Sequence, residues 1–407
     1  MRAADMKLML SSIFYSFILL SNFTFQLFSF NGNYYFEVAL LSCAIYFILV
    51  RDSVGISIYT SIQKYRNTII LACILLTPFL VIGIVNWGSP AASYADYRSN
   101  LVFIISFIIA KRVIGKFPYE ILLLGFMTSL LTMINWLYLY KIGGLDAKFP
   151  FPLFSIVLTI ILATKLRKLW FLLGAILILA FTAAVSFFRQ YWIISALTVL
   201  YIFIDVPKFT KRLRSWKIIF SVSTLLVLIA YYSYPILINF FYSDQSRYIQ
   251  SIGKSVDLLN MMGGLQTDRS DSLRLAYFVY AYDQFPSLIL PHGLGSKAMG
   301  DTISPWFNTY SPLSSTIDSS FIFVVYHYGY IVVLPLLLWY IKKLYSAYMV
   351  NGIMVQTTWL LIFAVPLFLD GGQLTVTDRA FWYGLFSSYI VNNFGDLPPK
   401  NCLPSVT

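Results

Sequence analysis

Apolar runs long enough to cross a membrane recur along this chain from residue 8 to residue 395. A helix needs about 20 apolar residues to span a hydrocarbon layer about 30 Å thick. The runs lie at residues 8–30, 35–50, 67–87, 99–115, 118–140, 149–164, 169–188, 190–207, 216–238, 318–341, 353–369 and 379–395. With 59% hydrophobic and 11% charged residues, the composition differs from that of soluble domains. We predict an all-α polytopic membrane protein with about twelve transmembrane helices, or eleven since two runs are short.

The distribution of Lys and Arg residues gives the predicted spans an orientation. Alternate loops hold 16 of the 29 basic residues, as the positive-inside rule expects of cytoplasmic loops, and Arg2, Lys7 and Lys400 in the termini bring the number on that side to 19. These loops contain Arg51, Lys64 and Arg66; Lys111, Arg112 and Lys116; Lys165, Arg167 and Lys168; Lys208, Lys211, Arg212, Arg214 and Lys217; and Lys342 and Lys343. We therefore expect both termini to be cytoplasmic. The net charge of +12 is a topology signal and requires no nucleic-acid partner.

Residues 239–316 form the longest polar segment between predicted spans, and the orientation places them outside the cytoplasm. Loops of this length are usually functional. Helices are predicted in "RYIQSIGKSVDLLN" and "DSLRLAYFVYAYDQF", and a Pro/Gly turn follows in "LILPHGLG". The chain divides accordingly into an N-terminal bundle of about nine spans (1–238), this large external loop (239–316), and C-terminal spans with a cytoplasmic tail (317–407).

The motifs that the chain lacks narrow its chemistry. It contains no GxxxxGK[ST] phosphate loop, no GxGxxG after a strand, no HExxH and no Cys/His cluster, so neither a nucleotide nor a metal cofactor is expected. Any reaction would therefore use a pre-activated substrate. The external arginines would meet an anionic, lipid-linked substrate through their guanidinium groups. They are Arg98, Arg189, Arg247, Arg269 and Arg274.

Three stretches carry a resemblance to a known family: "SFFRQ", "SLRLAYFVYAYDQF" followed by "HGLG", and "IDSSFIFVVYHYGY". Together with the layout of nearly the whole chain, they resemble the Wzy-type polysaccharide polymerases and the related O-antigen ligases of bacterial envelopes. The resemblance implies a GT-C-like fold in the bacterial inner membrane, with the active site facing the periplasm. It also implies metal-independent, inverting glycosyl transfer from a glycan on undecaprenyl pyrophosphate to a sugar hydroxyl.

The third stretch departs from the pattern of the ligases. They carry His, then Asn, Ser or Gln, and after nine further residues Gly; here Asp318, Ser319 and Gly329 keep the spacing, with aspartate replacing histidine. The ligase pattern continues with Gly, Thr or Tyr, where this chain has Val332. On a regular helix Asp318 and Gly329 share a face, and Gly329 would let another helix or a lipid tail approach. These departures favour a polymerase over a ligase.

The candidate charged residues each have a functional and a structural interpretation. Asp318 is the expected catalytic base or the N-cap of its helix. Arg274 would assist catalysis at the leaving pyrophosphate or form an ion pair with Asp271. Arg189 would bind the pyrophosphate bidentately or contact lipid phosphates at the membrane interface. The other expected substrate-binding residues are Arg247, Tyr277, His292, Gly293 and Gly295.

The glycines and histidines of the same region have structural alternatives too. Gly293 and Gly295 are expected at a turn with unusual backbone angles. His292 is either a surface residue or a second base or sugar-binding residue. His327 lies nine residues beyond Asp318, on the opposite side of a regular helix, and is expected to pack inside the protein.

The residues and the resemblance together favour a polymerase that joins undecaprenyl-pyrophosphate-linked repeat units into an O-antigen, capsule or exopolysaccharide. The expected partners are this lipid-linked glycan and membrane lipid, and a chain-length regulator protein is a candidate partner. Two alternatives stay open. A ligase would transfer the finished glycan to a lipid A core. A transporter or flippase of lipid-linked sugars would carry internal symmetry, which the sequence does not display.

Overall fold

The computed structural model describes residues 60, 63–141, 153–185, 189–205, 285–295, 320–351, 362, 374 and 377–392. These residues form α-helices, turns and one non-helical segment, and no strand occurs among them. The prediction of an all-α protein is therefore confirmed at this level for the described part of the chain.

The helices whose ends are described run in chain order as follows. They are α1 (Arg66–Trp87), α2 (Pro90–Lys116), α3 (Pro118–Lys141), α4 (Leu153–Lys165), α5 (Leu169–Val185), α6 (Arg189–Asp205), α7 (Ser320–Tyr328), α8 (Tyr330–Asn351) and α9 (Thr377–Asn392). Residues 285–295 contain one turn of 3-10 helix, Ser287–Ile289.

The helix ends follow the predicted apolar runs closely, except at the start of α2 and at the end of α8, which continues past the predicted residue 341 to Asn351. Gly88 ends α1 in the left-handed conformation (φ 61°), and its N–H donates to the Ile84 carbonyl at 3.0 Å. Helix α2 then begins at Pro90, well before the predicted residue 99. Proline suits the first position of a helix because the N–H that it lacks would have no partner there. The added turns contain polar residues, which a hydropathy window excludes.

One stretch among the described helices, Arg66–Asn86, is long and apolar enough to cross a membrane by length and composition. Shorter apolar stretches are Pro118–Ile134, Leu153–Lys165, Leu169–Thr182 and Tyr330–Lys342. The predicted runs 8–30, 35–50 and 216–238 lie outside the described residues, as does 353–369 apart from Ile362. Most of the predicted external loop, 239–316, lies outside them as well.

Gly329 interrupts the helix that the sequence predicts over residues 318–341. Helix α7 ends at Tyr328 and α8 begins at Tyr330, with Gly329 between them at φ 72°. Glycine adopts this backbone angle without the clash that a Cβ atom causes. The prediction of one regular helix is wrong at Gly329, whereas Asp318 lies outside the described residues and the face that it would share with Gly329 stays a prediction.

Helices α2 and α9 pack side by side in the same direction. The hydroxyl oxygens of Ser99 and Thr377 lie 3.4 Å apart, and seven residues further along both helices Gly384 faces Ser106 and the Phe103 carbonyl. The absence of a side chain at Gly384 allows this close approach. The aromatic side chains of α9 then fill the core, where Tyr383 and Phe386 lie 4.7 and 4.9 Å from the ring of Phe154.

Helices α3 and α4 pack in opposite directions through small polar residues. The hydroxyls of Ser129 in α3 and Ser155 in α4 hydrogen-bond at 2.8 Å. One turn before Ser129, Gly125 faces Thr159, which lies one turn after Ser155. Serine and threonine satisfy their hydroxyls inside a helix by bonding the carbonyl four residues back. Ser129, Thr159 and Thr182 do so, at 2.6 to 2.8 Å.

Candidate functional site

Residues 285–295, here called the HGLG segment, lie against α1, α2 and α7. Gly293, Leu294 and Gly295 are buried. The main-chain N–H groups of four consecutive residues donate as follows: His292 to the Tyr326 carbonyl at 3.2 Å, Gly293 to the His327 carbonyl at 3.2 Å, Leu294 to the Phe79 carbonyl at 2.9 Å, and Gly295 to Oδ2 of Asp96 at 3.1 Å. A buried non-helical segment requires such partners, because an unpaired main-chain N–H is costly.

The break at Gly329 supplies two of these acceptors. The last four carbonyls of a helix have no partner within the helix. Tyr326 and His327 stand in the last turn of α7, so their carbonyls are available to the HGLG segment. Gly329 also makes room, because a Cβ atom there would lie 2.6 Å from the carbonyl oxygen of Ile289. The helix break thus supplies both the acceptors and the space that the HGLG segment needs.

Glycines allow the HGLG segment to meet α1 backbone to backbone. Gly293 has φ 84° and Gly295 has φ 132°, both in the region that L side chains rarely adopt. A Cβ atom on Gly293 would overlap the main-chain nitrogen of Gly83, and one on Gly83 would overlap the carbonyl of Leu294. The expectation that Gly293 and Gly295 adopt unusual backbone angles is confirmed.

The chain has two histidines, and both belong to this site. The His292 ring stacks on Tyr326 with centroids 4.8 Å apart, and its carbonyl accepts a hydrogen bond from Nδ2 of Asn86 at 2.9 Å. His327 is fully buried, as predicted, and its Nδ1 hydrogen-bonds the carbonyl of Gly293. Both histidines therefore take part in the contact between the HGLG segment and the last turn of α7.

The half-buried position of His292 determines its protonation. Burial lowers the pKa of the imidazole below its ordinary value of 6.5, although the carbonyls of Tyr326 and Leu290 favour the charged form. A neutral imidazole offers one donor and one acceptor to a ligand. The main-chain N–H groups of residues 292–295 already donate inside the protein, so they are not available to a ligand.

Polar side chains of α2 and α9 extend the site on the side of Asp96. Asp96 is only 6% exposed, and Ser99, one turn later in α2, contacts Thr377 at the start of α9. Arg379, two residues further along α9, is also buried, at 7% exposed. Neither Asp96 nor Arg379 was predicted from the sequence as a site residue. Each of them is a charged residue close to the start of an apolar run, and this is the sequence signal by which it could have been found.

The predicted site residues fall into two groups. The structure brings His292, Gly293 and Gly295 together, in contact with α1 and α7. Arg189 begins α6, and only its backbone belongs to the described part. The remaining candidates lie outside the described residues: Arg247, Arg274, Tyr277 and Asp318. Their relation to the HGLG segment, and the alternatives for each of them, stay predictions.

Among the described residues, no group of three or more His, Cys, Asp and Glu side chains is placed to hold a metal ion. Comparisons of the chain with protein-family models, with curated proteins and with solved structures found no match.

Proposed function

We propose that the chain is a polytopic protein of the bacterial inner membrane that joins undecaprenyl-pyrophosphate-linked repeat units into an envelope polysaccharide. The family likeness of the sequence suggests this reaction. The arrangement of the HGLG segment, in which both histidines of the chain and the carboxylate of Asp96 meet at the ends of three helices, is the observation that carries it.

Exposed apolar side chains support the membrane part of the proposal. Large apolar residues are exposed along α1, α5 and α8; they include Leu75, Val85, Trp170, Leu177, Leu336 and Leu338. In water such surfaces would be unfavourable, whereas hydrocarbon accommodates them. Inside the bundle, serine and threonine hydroxyls pair with each other or with carbonyls, which is how membrane helices pack through polar residues.

The charge pattern supports a site on the periplasmic face. Lys64 and Arg66 stand at the start of α1, and Lys111 and Lys116 stand in the last turns of α2. With these basic ends in the cytoplasm, the turn at Gly88 and the HGLG segment face the other side of the membrane. A lipid-linked substrate presented at the outer leaflet would reach the site there.

The proposed reaction is a direct displacement at the anomeric carbon of the donor sugar. The acceptor hydroxyl oxygen forms the new bond to this carbon as the bond to the pyrophosphate oxygen breaks, and the configuration inverts. The electron pair leaves with the undecaprenyl pyrophosphate, whose charge Arg189, Arg247 and Arg274 stabilise. The proton of the acceptor passes to the carboxylate of Asp318. His292 hydrogen-bonds a sugar hydroxyl through its neutral ring.

A polymerisation assay tests this function. The purified protein in lipid nanodiscs receives lipid-linked repeat units, and the products are separated by length. We expect polymers to form in the presence of a chelator, and Asp318→Asn to lower the rate about 10²- to 10⁴-fold, the usual loss when a general base is removed. Glu120→Gln, a matched loss of charge at the first turn of α3, should leave the rate unchanged.

Two results would contradict the proposal. Transfer of one intact glycan to a lipid A core without chain growth would identify a ligase. Movement of the lipid-linked unit across the bilayer without formation of a glycosidic bond would identify a flippase.

A further inference from the structure

The carboxylate of Asp96 is a buried acidic group in contact with the HGLG segment. It is 6% exposed, and removing an ionised group from water is costly unless hydrogen-bond donors surround it. One of its donors is the main-chain N–H of Gly295, at 3.1 Å and 199 positions away in the sequence. A hydrogen bond between an ionised acceptor and an N–H is roughly twice as strong as a neutral one.

Asp96 differs in kind from the other acceptors of the segment. The N–H groups of His292, Gly293 and Leu294 donate to main-chain carbonyls of α7 and α1. The N–H of Gly295 donates to a side chain. Asp96 is therefore the acceptor that a substitution can remove without altering the path of a helix.

Asp96 also connects the segment to the α2–α9 pair. Ser99 lies one turn further along α2 and contacts Thr377. The side-chain amide of Asn100 donates to the main-chain carbonyl of Asp96 at 2.8 Å. The turn of α2 that holds Gly295 is thus itself held by α9.

We propose that Asp96 is a positioning residue: by accepting the hydrogen bond from Gly295, it keeps the HGLG segment seated and the His292 ring in place. Its effect on the position of the segment is independent of what the protein does. Its effect on turnover rests on the function proposed above, so two separate measurements are required.

Hydrogen–deuterium exchange measures the position of the segment directly, because the four donating amides exchange only when the segment opens. In Asp96→Ser the hydroxyl is too short to reach Gly295, and we expect the peptide that contains residues 292–295 to exchange about tenfold faster or more. Asp96→Asn keeps an oxygen for the same N–H, so its exchange should stay close to that of the wild type. Glu120→Ser is the control for loss of a helix carboxylate elsewhere, and it should leave this peptide unchanged.

The polymerisation assay gives the second measurement. A positioning role predicts that Asp96→Ser lowers kcat about 10- to 100-fold with little change in KM, and that Asp96→Asn recovers most of the rate. If Asp96→Asn is as inactive as Asp96→Ser while its exchange matches the wild type, the carboxylate acts on the substrate and the positioning role is wrong. Unchanged exchange in Asp96→Ser would also overturn it. If the wild type makes no polymer, the proposed function fails, while the exchange experiment still decides the role of Asp96.

Discussion

Gly83 of α1 and Gly293 of the HGLG segment meet so closely that neither position has room for a Cβ atom. The contact joins two parts of the chain that are distant in sequence, and it places the buried non-helical segment directly on a helix. Three single substitutions separate the steric part of this contact from its conformational part.

Gly83→Ala isolates the steric part, because Gly83 is helical and alanine in a helix interior is normally favoured by about 1 kcal/mol. Gly88→Ala isolates the backbone part, because Gly88 has φ 61° and open space around it. A side chain in this left-handed conformation costs about 1–2 kcal/mol. Gly293→Ala combines both penalties. We expect the apparent melting temperature in nanodiscs to fall least for Gly88→Ala and most for Gly293→Ala. A stabilised Gly83→Ala variant would show that the two backbones do not touch.

The stability of the protein should depend on the protonation of His292. The unfolded chain binds a proton near pH 6.5, whereas burial lowers the pKa in the folded protein. Below pH 6.5 the unfolded state therefore binds more protons than the folded state. The contribution of neutral His292 to stability is fully present above pH 6.5, and it is lost as the pH falls toward the pKa of the folded protein. The apparent melting temperature should decrease when the pH is lowered from about 7.5 to about 5.

His292→Phe provides the control for this pH dependence. Phenylalanine keeps a ring to stack on Tyr326 but does not titrate, and His327 is present in both proteins. At a fixed scan rate, the melting temperature of the variant should change less with pH than that of the wild type. Parallel curves would mean that His292 is not buried.

Arg189→Lys tests whether the guanidinium of Arg189 recognises the pyrophosphate. Lysine keeps the positive charge and reaches lipid phosphates equally well, but it does not form the bidentate pair. The backbone of Arg189 begins α6, where the helix dipole also favours an anion. We expect Arg189→Lys to lower the rate of polymerisation about tenfold or more, and Arg189→Ala to lower it further. Full activity of the lysine variant would leave an interface role for Arg189.

The membrane orientation is tested by labelling of single cysteines in intact cells, after the three native cysteines have been replaced by serine. Ser251→Cys and Ser296→Cys should react with a membrane-impermeant maleimide, because the predicted periplasmic loop contains both positions. Ser215→Cys lies in the most basic predicted cytoplasmic loop and should react only after lysis. Labelling of Ser215→Cys alone would reverse the orientation.

Local sequence placed most of the described helices, although it missed the start of α2, the break at Gly329 and the end of α8. The predicted run 67–87 matches α1 because hydrophobic residues fill it and Gly88 ends it, and the run 118–140 matches α3 because Pro118 begins it. Such signals lie within a few residues of the helix end that they determine. They can therefore be recognised in a single sequence.

Two features of the candidate site depend on contacts between distant parts of the chain. Asp96 stands in a polar stretch that the hydropathy pattern assigns to a loop, and its partner Gly295 is 199 positions away. The break at Gly329 is as hard to foresee, because a glycine inside an apolar run is compatible with a continuous helix. The break becomes favourable once the carbonyls of Tyr326 and His327 accept hydrogen bonds from the N–H groups of His292 and Gly293.

The side-by-side packing of α2 and α9 has a consequence for the order in which the chain assembles. Ser99 and Thr377 are 278 positions apart, so α9 is synthesised long after α2. At a synthesis rate of about 5–20 residues per second, α2 exists for about 14 to 56 s before α9 follows it. During that interval the groove that receives Tyr383 and Phe386 has no native occupant. A ribosome stalled within this window should therefore carry a chain that an insertase or chaperone protects.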